Sequence, residues 1–271
     1  MNPKKTILIT GCSHGGIGYA TACYLKKLGH NIITSVRGET EFSLLKSEGF
    51  ECIKLDVLST NDINDMFEYL KDRVVDVIFN NAGYMQTGAL EDLPTNILRK
   101  QFETNFFAIH EITCLALKKM RRQGHGIIIQ HSSVLGLVPI IYQGAYNASK
   151  YALEGLADTM RLEIKNPNIF MTTLNTGPVT SLLRENSMRY MKNINLDTSI
   201  HKSEYKKIKL NLHKKIPFNK EAISVAKTVE KILNSKKPKP RYAITKFTYI
   251  AIILKRVCST KFLDYIFKKI R

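Results

Sequence analysis

The sequence predicts an α/β fold, a single doubly wound parallel sheet with helices on both faces, and three observations carry that prediction. Short apolar runs (TILIT, NIITSV, ECIKLDV, VVDVIFN, GIIIQHSS, NIFMTTLN) alternate with segments whose apolar residues recur at helical spacing. The first run opens into a glycine-rich turn, TGCSHGGIG, and then into the helical pattern YATACYLKKLGH. The chain has 271 residues and is 44% hydrophobic, enough to bury a sizeable core as one domain spanning 1–271.

The strand, glycine turn and helix at the start form the opening of a dinucleotide-binding βαβ unit. Gly11, Gly16 and Gly18 supply the tight turn and let backbone approach a pyrophosphate, whose charge the helix amino terminus favours. Ser13 and Ile17 stand in the same turn and are expected to line the cofactor. The second strand ends at Val36 and Arg37, nineteen residues beyond Gly18. An acidic residue there would bind the ribose hydroxyls of NAD, whereas arginine accommodates the 2′-phosphate of NADP. Val36 holds the acidic position and Arg37 follows it, so NADP is the expected cofactor, with His14 as a second polar contact.

A helix is expected around Glu41 to Gly49, followed by the strand ECIKLDV with Asp56 and Val57 at its carboxyl end. Asp56 has a structural reading as a cap for the helix beginning near Thr60. The next strand delivers Asn80, Asn81, Ala82 and Gly83, which as residue types also make a plausible turn. LRKQFETNFFAIHEITCLALKKMRRQG is helical and stops at Gly124. Asn105 inside it is mildly unfavourable, because its side chain competes for backbone hydrogen bonds.

GIIIQHSS ends at Ser133, at the carboxyl end of a buried strand, where side chains face the ligand crevice of an open α/β sheet. Thirteen residues on comes Tyr146 and four later Lys150, both on one face of the helix AYNASKYALEGLADTMRLEI. A phenol ordinarily titrates near pH ~10, and a neighbouring ammonium pulls it down. Tyr146 is therefore expected to give or take a proton near neutral pH. NIFMTTLNTGPVTSLL is a further strand with a turn, 184–220 is polar and Lys-rich, EAISVAKTVEKILNS is an amphipathic helix, and KKPKPRY is a break.

The glycine turn, NNAG, Ser133, Tyr146 and Lys150, in this order, resemble the short-chain dehydrogenase/reductase family over residues 5 to about 182. The resemblance implies a Rossmann-type fold and an NADP-dependent oxidoreductase acting on CH–OH donors, interconverting a carbonyl and an alcohol. Among its branches, those handling steroids, retinoids or acyl-dihydroxyacetone phosphate are nearest, which implies a lipophilic substrate. It implies that Ser133 binds the carbonyl oxygen, Tyr146 gives the proton, and Lys150 binds the nicotinamide ribose and lowers the phenol's pKa. Asn105 would hold a water of a proton relay, Asp56 and Val57 would contact adenine, and Asn81, Ala82 and Gly83 would border the adenosine ribose. The family pattern PGxVxT aligns with Thr176 to Ser181, giving Val179, Thr180 and Ser181 to the nicotinamide carboxamide, with Thr for Pro and Ser for the last Thr. The glycine turn is one residue longer than the family's TGxxxGxG, since Cys12, Ser13, His14 and Gly15 separate Gly11 from Gly16. The family also places a substrate-covering lid at 184–220 and often forms dimers or tetramers through its catalytic helices. A non-catalytic nucleotide sensor would keep the glycine turn but could dispense with Ser133, Tyr146 and Lys150.

Charge is uneven. Residues 182–271 hold 23 of the 41 Lys and Arg but only 6 of the 23 Asp and Glu, and so carry +17 of the net +18. Such a field suits anionic membranes, acidic substrates or nucleic acid, but no RNA- or DNA-binding motif accompanies it, and no nucleic-acid partner is expected. The C-terminal segment 242–271 alternates apolar stripes with Lys and Arg. Two readings are open for it: docking on the domain or a partner subunit, or lying on an anionic membrane surface. Five cysteines without paired spacing, the lack of metal-ligand spacing, and a start without a signal-peptide pattern lead to the expectation of a cytoplasmic protein with free thiols and no metal.

Overall fold

The computed structural model describes residues 3–212, 214 and 216–269. Each apolar run becomes a strand that feeds a helix. β1 (Thr6–Ile9) leads through the glycine turn into α1 (Ile17–Lys27), β2 (Asn31–Val36) into α2 (Glu39–Ser47), and β3 (Glu51–Lys54) into α3 (Thr60–Tyr69). β4 (Val77–Asn80) is followed by α4 (Thr95–Phe102), a π-helical turn (Glu103–Phe107) and α5 (Ala108–Gln123). β5 (Gly126–Ser133) precedes α6 (Gly144–Glu163), and β6 (Ile169–Thr176) precedes α7 (Leu183–Arg189), α8 (Lys202–Leu210) and α9 (Ile223–Leu233). β7 (Arg241–Ala243) ends the sheet, and α10 (Lys246–Val257) and α11 (Thr260–Phe267) follow it.

The seven strands are ordered β3-β2-β1-β4-β5-β6-β7, and every pairing is parallel. The order reverses between β1 and β4, which opens a crevice beyond their carboxyl ends. Alternation along the strands feeds two cores. Ile7 and Ile9 face α1 and α9, packing with Ala22, Leu25, Val225 and Val229. Leu8 and Ile78 face the opposite helices, packing with Ile63, Met66, Ile112 and Ala157. Both faces are covered, and the central strands β1, β4, β5 and β6 are buried along almost their whole length, polar residues included.

The structure differs from the sequence reading in its last third. The break at KKPKPRY conceals a seventh strand, β7, too short to show an alternation, which pairs with β6 through Thr173↔Arg241 and Asn175↔Ala243. The polar stretch expected as a lid contains α7 and α8, anchored by the buried side chains of Ser187, Met191, Ile194 and Tyr205. His213 and Lys215 of that stretch, and Ile270 and Arg271 of the C-terminal segment, lie outside the described residues. The C-terminal segment is two helices rather than one amphipathic run, because Ser259 starts the second by accepting a hydrogen bond from Phe262 N.

Candidate active site

The crevice is built first from backbone. Gly11 has φ +72°, and a Cβ there would stand 2.8 Å from the Ala82 Cα; one at Gly18 would stand 2.5 Å from both Gly11 O and Asn81 Nδ2. The glycines thus let the turn lie directly against the NNAG segment. α1 begins at Gly16 with no side-chain cap and no acidic residue in its first turn, so its amino terminus suits an anion. Ser13 is exposed on the turn, its carbonyl accepting from Gly16 N, while Ile17 packs against the core. These features fit a nicotinamide dinucleotide.

His14, expected as a second polar contact to the cofactor, turns instead to two carboxylates of α2 and the residue that follows it. Its Nδ1 lies 2.7 Å from Glu41 Oε2 and its Nε2 2.9 Å from Glu48 Oε1, which clips the turn to α2. The hydrogen bond to Glu41 holds the imidazole's pKa above its usual value, against the cost of desolvation. Arg37, exposed just past β2, has no partner among the described residues.

Asp56 is not the cap of α3. Ser59 is, accepting from Asp62 N at 3.1 Å, while Asp56 turns back on Leu58 N at 3.0 Å. Val57 packs on the α3 side of the core. Asn81 donates from Nδ2 to Thr10 O and Gly11 O, which leaves its Oδ1 as the acceptor for His131 Nδ1 at 2.8 Å. Ala82 N donates to Thr10 Oγ1, and Gly83 is exposed beside Asn105.

Ser133, Tyr146, Lys150 and Asn105 are all buried. Ser133 ends β5, where its Oγ accepts from Leu135 N and donates to Thr176 O at 3.3 Å. α6 carries Tyr146 and Lys150 one turn apart, and Lys150 Nζ stands 5.6 Å from the centre of the Tyr146 ring. Lys150 Nζ donates to His131 O at 2.6 Å. Asn105 sits in the π-helical turn, where its Nδ2 donates to Tyr84 O and its Oδ1 accepts from Tyr84 N. A single widened turn of this kind is frequent at functional sites.

Electrostatically the site differs from the sequence reading. Burial pushes the Tyr146 phenol up to about 12, and the hydrogen bond with Ser133 offsets only part of this. Burial lowers the Lys150 ammonium to about 8, although Glu154 pulls it back up. The ammonium was expected to acidify the phenol. Instead both groups are dry, and desolvation disfavours the charged form of each.

His131, absent from the sequence reading, links the two halves of the crevice. Its ring joins Asn81 to Thr176, with Nε2 3.3 Å from Thr176 Oγ1, and its carbonyl holds Lys150. Burial drives its pKa down to about 3, so the ring is neutral. A strand histidine without a motif gave no signal beyond its place two residues before Ser133. Behind the site, Arg241 of β7 clamps α6 through Glu154 Oε2 at 2.9 Å and through Asp158.

Past β6, Val179 pairs with Lys220, and Thr180 Oγ1 donates to Glu221 Oε1 at 3.1 Å. Ser181 Oγ accepts from Leu183 N, and Leu182 N reaches Gly15 O at 3.3 Å, so this turn closes against the glycine turn. Tyr146 itself lies in an apolar cluster with Met85, Val134, Leu135 and Val138, roofed by Phe247, Ala251 and Phe267 of the last two helices.

Residues 5–191 match the family model described as short chain dehydrogenase. The chain belongs to the short-chain dehydrogenase/reductase family. It is 32% identical over 266 residues to the uncharacterized oxidoreductase YbbO of Escherichia coli strain K12, covering 97% of this chain and 94% of that one. It is 28% identical over 251 residues to retinol dehydrogenase 8 of Bos taurus, covering 86% and 79% of the two chains. A short-chain dehydrogenase from Streptomyces avermitilis superposes with a TM-score of 0.80 at 23% identity, covering 100% of this chain and 98% of the other. The protein is accordingly an oxidoreductase of the short-chain dehydrogenase/reductase type, a family that binds a nicotinamide cofactor and acts on small-molecule substrates.

Proposed function

We propose that this short-chain dehydrogenase/reductase is NADP-dependent and reduces a carbonyl, or oxidises the corresponding alcohol, on a lipophilic small molecule. The observation that carries the proposal is the meeting of Ser133, Tyr146 and Lys150, all buried, at the carboxyl end of β5 beside the switch-point crevice. A bound reduced nicotinamide supplies the hydride. Ser133 Oγ orients the substrate oxygen, and Tyr146, protonated throughout the working range, donates its proton to that oxygen as the carbonyl becomes an alcohol. Lys150, charged below about pH 8, takes the nicotinamide ribose and favours the phenolate left behind. Asn105 supports the proton relay by holding the Tyr84 backbone in place.

The pyrophosphate falls to the glycine turn and the uncapped start of α1, the adenosine to Asp56, Val57, Asn81, Ala82 and Gly83, and the carboxamide to Val179, Thr180 and Ser181. Arg37, exposed and unpaired among the described residues, suits a 2′-phosphate. Support for a lipophilic substrate comes from the apolar cluster around Tyr146, and the bovine relative's name, retinol dehydrogenase, points the same way. The stretch 184–220 acts as the cover that keeps water from the reaction.

Oxidation of NADPH and of NADH, followed across ketosteroids, retinal, acyl-dihydroxyacetone phosphate and small ketones, tests the reading. It expects NADPH turnover with an apolar carbonyl. Turnover with none of them, or a clear preference for NADH, overturns the activity or the cofactor choice respectively.

A further inference from the structure

A helix that only closes a domain shows water a polar outer face. α10 does not. Its inner side carries Thr248 and Ala251, both buried, and at 100° per residue the opposite side carries Tyr249, Ile250, Ile253 and Val257. These are exposed, Tyr249 by 57%, Ile253 by 60% and Val257 by 73%. α11 adds Phe262 and Tyr265, exposed by 50% and 60%. Around them stand Lys246, Arg256, Lys261, Lys268 and Lys269, against the single acid Asp264, while Lys255 turns inward over the Tyr151 ring. Two helices that turn their inner faces to one cluster and expose large apolar side chains among cations present a surface that meets something else.

We propose that α10 and α11 lie flat on an anionic phospholipid bilayer, with Tyr249, Ile250, Ile253, Val257, Phe262 and Tyr265 among the headgroups and the surrounding cations on the lipid phosphates. Charge decides the occupant. Two copies of this face would bring like charges together, whereas an anionic leaflet complements them. The helices rest on the membrane and do not cross it. α10 has 12 residues, and among the described residues no helix is long and apolar enough for a span. Aromatic and branched apolar side chains beside lysines are the composition of an interfacial helix.

The inner faces of the same helices supply Phe247, Ala251, Leu263, Ile266 and Phe267 to the cluster that contains Tyr146. Docking therefore sets the roof of the candidate site against lipid. On the proposed function, an apolar substrate then reaches that site from the bilayer, without transfer through water.

The test is sedimentation of the full chain with phosphatidylcholine vesicles and with mixed phosphatidylcholine–phosphatidylglycerol vesicles. The protein pellets with the mixed vesicles and stays in solution with the neutral ones. Raising the salt releases it, since charge attraction to the leaflet is screened. The double variant I253E/V257E loses vesicle binding while its melting midpoint and oligomeric state are unchanged, because both side chains face outward. K261E/K268E weakens binding by roughly fivefold for each cation removed. Equal pelleting with neutral vesicles, or none with either, overturns the proposal. A dimer that dissociates in I253E/V257E likewise overturns it, assigning the face to a second copy. Vesicle binding is read without turnover, so a chain that binds lipid but reduces nothing refutes only the reading of the active site.

Discussion

The half of the sheet built by β1 to β4 and the last third of the chain reach the same crevice by different means. The first shapes it with backbone: glycines at 11 and 18 let the turn lie on Ala82 and Asn81, and α1 starts without a side-chain cap. Little there depends on side-chain size beyond the absence of one. The last third acts through side chains, with Phe247, Ala251 and Phe267 closing over Tyr146 and nearly all of the protein's excess positive charge on its surface. On the proposed function, binding of a common cofactor asks for fixed donor positions and choice of substrate for an apolar wall, and the two demands fall to separate stretches of chain.

Tyr146 stands where the two regions meet, so its removal has the largest effect. Y146F is expected to lower kcat for carbonyl reduction by about 10³-fold while NADPH binding, followed by fluorescence, is kept. Unchanged kcat would leave the crevice without its acid. F267A probes the substrate side alone. Deleting this buried ring from a helix at the chain's end is expected to cost about 2–3 kcal/mol in urea unfolding, and to raise KM for an apolar carbonyl more than for a small ketone. Equal effects on both KM values would erase the division of labour.

R37A probes the cofactor side. It is expected to weaken NADPH roughly thirtyfold by titration and to leave NADH almost unaffected, as loss of a charge-assisted hydrogen bond predicts. The smallest effect is on pH. Lys150 is charged below about 8 and neutral above it. The kcat/KM for reduction should therefore fall as pH rises, by about tenfold between pH ~7 and ~9. A rate that climbs over this interval would mean that the neutral amine is the working form.

Much of the cofactor half is legible in the sequence, because its features are local. A run such as NIITSV specifies a buried strand by itself, and TGCSHGGIG specifies a turn through φ requirements that few residues besides glycine meet. The spacing of Tyr146 and Lys150 fixes their common helical face in the same way. What is hidden depends on distant partners. The part His131 plays depends on Asn81, Lys150 and Thr176, each nineteen or more residues away in sequence. The phenol's pKa depends on how deeply helices from the far end of the chain bury it. β7 is three residues whose pairing partner is β6, and no period can be read from so short a run. Asn105 does leave a trace, an awkward polar residue in a helix, although the π-helical turn that resolves it shows only in the backbone.

Arg241 lies fifty residues past the end of the family match, yet its guanidinium grips the carboxylates of Glu154 and Asp158, on the same helix as Tyr146 and Lys150. The placement of the helix that carries Tyr146 and Lys150 thus depends in part on a residue outside the family match. Exchanging the tail with that of a relative would therefore reach α6 as well: unless the incoming segment brings its own cation to this place, the graft leaves the buried Glu154 with only the neutral partners Asn175 and Thr173, and the helix without its clamp.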